Sequence, residues 1–212
     1  QILRTVAGDL VPLLAADVPL VLCSKGIEAS TGAFGSAILE EVRPGGTVAV
    51  LSGPSFAHDV AANLPTAVTL ACTDAQRAEA MAATLSSTTL RIYASDDVAG
   101  VEAGGALKNV LAIAAGAVAG RGLGASAQAA IVTRGLSELR RLGVALGARP
   151  ETLMGLSGLG DLVLTCGSAQ SRNFAYGMAL GRGDDLSRLK LAEGVHSAGV
   201  AARLAGEQGV EA

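Results

Sequence analysis

The stretch TLRIYASDDVAGVEAGGALKNVLAIAAGAVAG, Thr89 to Gly120, decides the fold class, because the hydrophobic period changes inside it. Thr89 to Ser95 is short, β-branched and aromatic, as a strand is. From Val98 onward the residues are small or apolar with helical spacing, and no strand-like run follows anywhere downstream. A full charge, Lys108, sits in the middle of that apolar helix with an amide, Asn109, beside it.

Working backward from Thr89, strands and helices alternate. Helical spacing runs from Ile2 to Leu14 and again from Gly32 to Glu41, ending before Pro44. Asp74 to Leu85 reads as a helix with Thr73 or Asp74 as its N-cap. Between these lie buried-strand runs at Pro19–Ser24, Gly46–Ser55 and Pro65–Cys72. Apolar strands alternating with helices predict a mostly parallel sheet covered by helices. Working forward, helices are expected at Val98–Val118, Ala125–Leu146, Pro150–Met154 and Phe174–Leu180. The fold class is therefore α/β followed by all-α, with residues 1–96 as part of a doubly wound, Rossmann-like sheet domain and 97–212 as a helical domain.

Composition narrows the function. Half of the 212 residues are hydrophobic, 28 are glycine, there is no Trp, and the net charge is −3. Without a basic run, neither nucleic acid nor an anionic membrane is the expected partner. The longest apolar run, Val110 to Gly120, is too short to span a bilayer, so no integral membrane contact is expected. Cys23, Cys72 and Cys166 show no CxxC spacing; a reduced cytoplasmic protein without a metal centre is the default reading. The chain opens on Gln1 without Met and ends at Glu211-Ala212 without a stop signal, and it reads as part of a longer protein.

Two groups of residues could carry chemistry. An isolated helical lysine usually runs its stem along apolar surface with its ammonium in water. Lys108 follows Gly104, Gly105 and Ala106, which put no bulk on the adjoining helix surface. Paired glycines cost helix stability, so something must approach closely there, and a lysine in a dry pocket exchanges protons near neutral pH. The second group is Ser171-Arg172-Asn173 at a helix start, with Asp161 after a glycine-rich turn. A helix N-terminus with a guanidinium suits a phosphate; an ordinary serine cap with a solvated arginine accounts for the same pattern. In doubly wound sheets ligands lie beyond the carboxyl ends of strands, where CSKGIE and LSGPSFAHD fall. GRGLGA, Gly120 to Ala125, follows a helix and so is not a dinucleotide fingerprint. His58 and His196 have no partner pattern, Thr133-Arg134-Gly135 interrupts a helix, and Cys166 reads as a small packing residue.

Six motifs then stand in a recognisable order: SKGIE (24–28), LSGPSFA (51–57), GGALKNV (104–110), TRGLSELRRLG (133–143), GLGDLVLTC (158–166) and SAQSRN (168–173). Together they resemble the bacterial-type NAD(P)-dependent glycerol-3-phosphate dehydrogenases over about residues 1 to 206. The resemblance implies an oxidoreductase that interconverts sn-glycerol 3-phosphate and dihydroxyacetone phosphate with NAD or NADP and supplies phospholipid synthesis. It implies a cytoplasmic homodimer acting on a small phosphorylated substrate. By resemblance, Lys108 is the proton acceptor, and Lys25, Gly53, Ser55, Lys108, Asp161, Ser171, Arg172 and Asn173 bind substrate. Lys25, Ala57, Arg172, Leu191 and Glu193 would touch the cofactor. The family's glycine-rich pyrophosphate loop is not among these 212 residues. Two alternatives remain at this stage: another dehydrogenase of similar build, acting on 6-phosphogluconate or a 3-hydroxyacid, and a non-catalytic homologue.

Overall fold

The computed structural model describes residues 2–189 and 192–210. The first half is a four-stranded sheet of order β1-β2-β3-β4, made of Leu20–Leu22, Val48–Ser52, Thr66–Ala71 and Leu90–Ser95. Alternate residues of the strands enter opposite cores, as a pleated backbone requires. Ala49, Leu70 and Ile92 pack with Ala78 and Ala82 of α4 (Ala75–Leu85) on one face. Val50 and Ala71 pack with Ala7 of α1 (Ile2–Leu10) and Leu39 of α2 (Gly35–Val42) on the other. This double cover explains why β1 and β2 are mainly apolar rather than alternating, while the edge strand β4 exposes Arg91 and Tyr93. Asp74 caps α4, its carboxylate accepting from the Arg77 amide at 3.1 Å.

The sheet differs from expectation in one pairing. β1–β2 and β3–β4 are parallel, but β2–β3 is antiparallel, with Val50 opposite Ala71. The link from Gly53 to Pro65 holds only the short α3 (Ala57–Ala61), which is too little for the helical crossover that a parallel pair needs. The first helix is also shorter than its spacing suggested. It ends at Leu10, and a 3₁₀ turn, Val11–Leu13, carries Pro12 at its start.

Beyond Ser95 the chain is helical. α5 (Val98–Gly120) is the central element, flanked by α6 (Gly124–Ala145), α8 (Asp161–Gly167), α9 (Arg172–Arg182) and α10 (Glu193–Glu207). Its length and composition would suit a membrane span although Glu102 and Lys108 interrupt the apolar run, and here it is the core helix of the bundle. Asp97 caps α5 through the Gly100 amide at 2.9 Å, and its other carboxylate oxygen accepts from the Arg149 amide at 2.9 Å, tying α5 to α7 (Pro150–Leu153). Glycine-bearing faces bring α5 and α9 almost backbone to backbone. A side chain on Gly116 would strike the Phe174 carbonyl, and one on Gly177 would strike that of Ile113. Gly135 of α6 has a similar reason, since a methyl there would collide with Leu111; Thr133-Arg134-Gly135 lies inside a continuous helix.

Candidate active site

Asp161 is the centre of the site. The run from Gly155 reads as a glycine-rich turn, but Leu156–Gly160 forms a π-helical turn leading directly into α8, with Asp161 as its first residue. Such turns are rare and cluster at functional positions. Its carboxylate is almost wholly buried and lies between two ammonium groups. Lys108 Nζ donates to Oδ1 and Lys25 Nζ donates to Oδ2, both at 2.5 Å. Lys108 is 6% exposed and also donates to Thr165 Oγ1 at 2.8 Å. Lys25, from the loop after β1, further reaches the Gly53 carbonyl at 3.4 Å beyond the end of β2. Residues far apart in the chain thus meet at the carboxyl ends of β1 and β2, against α5.

The paired glycines admit the protein itself. A Cβ on Gly104 would sit 2.6 Å from the Ser157 carbonyl oxygen, and one on Gly105 would sit 2.7 Å from Ser52 Oγ and 3.4 Å from the Lys25 stem. These contacts seat the Asp161 segment and the Lys25 stem on α5. Gly53 has φ +152°, where a side chain is strained, and a Cβ there would press on Val68.

Burial pushes the Lys108 ammonium below the ordinary lysine value. The charge of Asp161 opposes this and that of Lys25 adds to it. The net direction favours a lysine able to give up its proton more readily than a solvated one. Cys166, one turn along α8, is buried with its thiol pushed up to about 12, which makes it a packing residue.

The second cluster lies at the start of α9. Ser171 is its N-cap, accepting from the Phe174 amide at 3.3 Å, so the ordinary capping role is real. Arg172 is exposed and donates to Glu193 Oε1 at 2.8 Å. Asn173 is buried. Its amide donates to Asn109 Oδ1 at 3.0 Å, and its carbonyl oxygen accepts from the Gly194 amide at 2.9 Å. Asn109 in turn donates to Glu193 Oε2 at 3.4 Å. Asn109 follows Lys108 on α5, so the two clusters share one helix. Ser55 is half-buried, its hydroxyl donating to the Gly53 carbonyl at 3.3 Å, and Ala57 is exposed at the first position of α3. Leu191 lies outside the described residues. His58 and His196 are exposed.

Two residues in these networks had no assigned role. Thr165 stands four residues after Asp161, on the same face of α8, and that spacing is a readable signal. Asn109 was visible as the neighbour of Lys108, but its partners come from α9 and α10, at no fixed spacing.

Lys25, Asp161 and Lys108 thus form a lysine–carboxylate–lysine cluster at the strand ends of a Rossmann-type sheet, against the helices of the second half. Residues 1–78 match the N-terminal model, and residues 97–212 the C-terminal model, of NAD-dependent glycerol-3-phosphate dehydrogenase; the chain belongs to that family. It is 67% identical over 195 residues to a glycerol-3-phosphate dehydrogenase [NAD(P)+] from Mesorhizobium japonicum, covering 92% of this chain and 57% of that protein. A Brucella ovis protein of the same name is 58% identical over all of this chain and 65% of its own length. The solved glycerol-3-phosphate dehydrogenase of Coxiella burnetii superposes with a TM-score of 0.93 at 39% identity, over 99% of this chain and 66% of that one. The chain thus spans somewhat under two thirds of the relatives it matches.

Proposed function

We propose that the protein containing this chain interconverts sn-glycerol 3-phosphate and dihydroxyacetone phosphate with NAD or NADP, and so supplies glycerol phosphate for phospholipid synthesis in the cytoplasm. The observation that carries this reading is Lys108, buried and held by Asp161 with its pKa pushed down. Oxidation at C2 removes a hydride and a hydroxyl proton. The nicotinamide supplies the hydride chemistry. Lys108 Nζ, once it has given up its own proton, takes the C2 hydroxyl proton; in the reverse direction the ammonium returns that proton to the ketone oxygen. Asp161 and Thr165 hold the amine in place, and Lys25, from the opposite side of Asp161, faces the same anionic substrate.

Gly53 and Ser55 line the same strand end. Ser171, Arg172 and Asn173 hold the phosphate, which fixes C2 over the nicotinamide, the positioning part of catalysis. Asn173 contributes through the amide hydrogen it does not spend on Asn109, and the Arg172 guanidinium has donors beyond the one given to Glu193. The exposed Ala57, Arg172 and Glu193, with the partly buried Lys25, fit the nicotinamide end of a dinucleotide, since they offer an uncrowded backbone and polar groups. Leu191 completes that set in the family pattern. The departure of the other dehydrogenases favours this reading too: they separate lysine and asparagine by about a helical turn, whereas Lys108 and Asn109 are adjacent.

The test is NADH or NADPH oxidation driven by dihydroxyacetone phosphate in the full-length protein. Turnover is expected, and Lys108→Ala should abolish it in a protein that still folds, with a lowered melting temperature because the buried pair with Asp161 is broken. Activity in Lys108→Ala above about a tenth of the parent would remove Lys108 as the acid–base. We further propose a homodimer, supported by the exposed apolar Leu123, Val163 and Leu180 of the helical half; a monomer in sedimentation equilibrium would refute it.

A further inference from the structure

Ser52, the last residue of β2, is 3% exposed, and its hydroxyl has no hydrogen-bonding partner among the described residues. A buried hydroxyl left unpaired is costly, so such groups ordinarily meet a partner or an ordered water. Ser52 lines a small cavity of about 10 Å³ together with Lys25, Glu102 and Gly105. That is close to the least space that holds one water molecule. Ser52 and Glu102 are polar members of its lining. Ser52 brings its hydroxyl. Glu102 brings a carboxylate that accepts from the Ser36 amide at 2.8 Å and the Ser36 hydroxyl at 2.5 Å, one bond on each oxygen, leaving lone pairs on both. The remaining wall includes Lys25, whose aliphatic stem would stand 3.4 Å from a methyl on Gly105.

The geometry points to a single-water site at the foot of Lys25: one water bridges the Ser52 hydroxyl and the Glu102 carboxylate and holds the Lys25 stem against α5. Ser52 and Glu102 are then positioning residues for Lys25, acting on its approach to Asp161 rather than on the reacting atoms. Gly105 is required for the same reason, because a methyl there would come within 2.7 Å of Ser52 Oγ and fill the space between that oxygen and the lysine. The water site rests on the cavity and the unpaired hydroxyl alone. The positioning role rests on the function proposed above.

A crystal structure of the full-length protein, at a resolution that shows ordered waters, tests the site without reference to activity. One water is expected within hydrogen-bonding distance of both Ser52 Oγ and the Glu102 carboxylate, and it should be lost or displaced in Ser52→Ala. A dry cavity, with the Ser52 hydroxyl turned onto a backbone carbonyl, would overturn the proposal. Kinetics test the positioning role. Loss of the bridge should raise the KM for dihydroxyacetone phosphate about two- to tenfold, the size of one hydrogen bond, with kcat and the thermal melt almost unchanged. Glu102→Gln, which keeps an oxygen for the Ser36 amide, should move KM in the same direction. A parent-like KM in both variants would refute the positioning role, whatever the crystal shows. A protein with the water but no turnover on either triose substrate would leave the site standing and refute the proposed function instead.

Discussion

Asp161→Asn should separate the electrostatic work of the site from its shape. The side chain keeps its volume, but the charge between two ammonium groups at 2.5 Å on either side is gone. One asparagine oxygen can still accept from one lysine; the amide NH₂ then faces the other lysine, donor against donor. Breaking a buried ion pair from one side typically costs about 3–5 kcal/mol, because the remaining charge stays buried without a partner. For a protein of this size that corresponds to roughly 6–20 °C in melting temperature. The pH dependence gives the sharper readout. Burial lowers the Lys108 pKa and the Asp161 charge raises it, so removing the charge must lower it further. In glycerol 3-phosphate oxidation, kcat/KM rises with pH as the base loses its proton, and that limb should move to lower pH in Asp161→Asn even as the maximal rate falls. A melt within about 1 °C of the parent, or a limb that stays put or moves to higher pH, would refute this account of how Asp161 holds Lys108.

Arg172→Lys should not behave as a conservative change. One fork-like guanidinium bond lost predicts a drop of about tenfold to a hundredfold in kcat/KM with phosphorylated substrate; the drop should shrink with dihydroxyacetone, and equal losses on both substrates would make Arg172 a structural or cofactor residue. The lowered pKa of Lys108 also predicts a stability signature. Its native value lies below the unfolded value near 10.5, so the unfolded chain binds more protons between the two. The corresponding stability is present above 10.5 and is lost as pH falls through the native value, and Lys108→Met should flatten this slope in denaturant titrations across that window. Gly104→Ala places a methyl 2.6 Å from the Ser157 carbonyl. Overpacking of that kind costs about 1–3 kcal/mol, and because Ser157 leads into Asp161, activity should fall more than stability; a fully active variant would show that α5 and the turn can separate harmlessly.

The change of class after Ser95 was legible because strand and helix have different periods, and that difference survives any arrangement of the elements. The antiparallel β2–β3 pairing was not legible, because an apolar run such as Val48–Ser52 reads alike in either direction and only the brevity of α3 between the strands hints at the reversal. Lys108 stood out because a charge in an apolar helix violates its own neighbourhood. The meeting of Lys25 with Asp161, 136 positions apart in the chain, leaves no trace in local pattern. The helix Glu193–Glu207 was not read from the sequence; its first turn has no side-chain cap to mark its start. Its N-terminus is instead set by Asn173, whose carbonyl oxygen accepts from the Gly194 amide.

The abundance of glycine and the burial of Lys108 are parts of one design. A lysine whose pKa must fall has to be dry, and drying an ammonium at the centre of a bundle requires neighbours that approach closer than ordinary side chains permit. The glycines of α5 let the Ser157 turn and the Lys25 stem lie directly on the helix at one level. One turn further on, Gly194 lets the start of α10 lie on the Asn109 carbonyl, where a Cβ would stand only 2.5 Å away, and this holds Glu193 within reach of Asn109 and Arg172. The stability forgone by placing glycine in helices is therefore exchanged for backbone contact at the level of Lys108 and Asn109. It follows that substitutions at these glycines should act on the proton-transfer group and on the Arg172–Glu193 pair through shape alone, with no change of charge anywhere in the site.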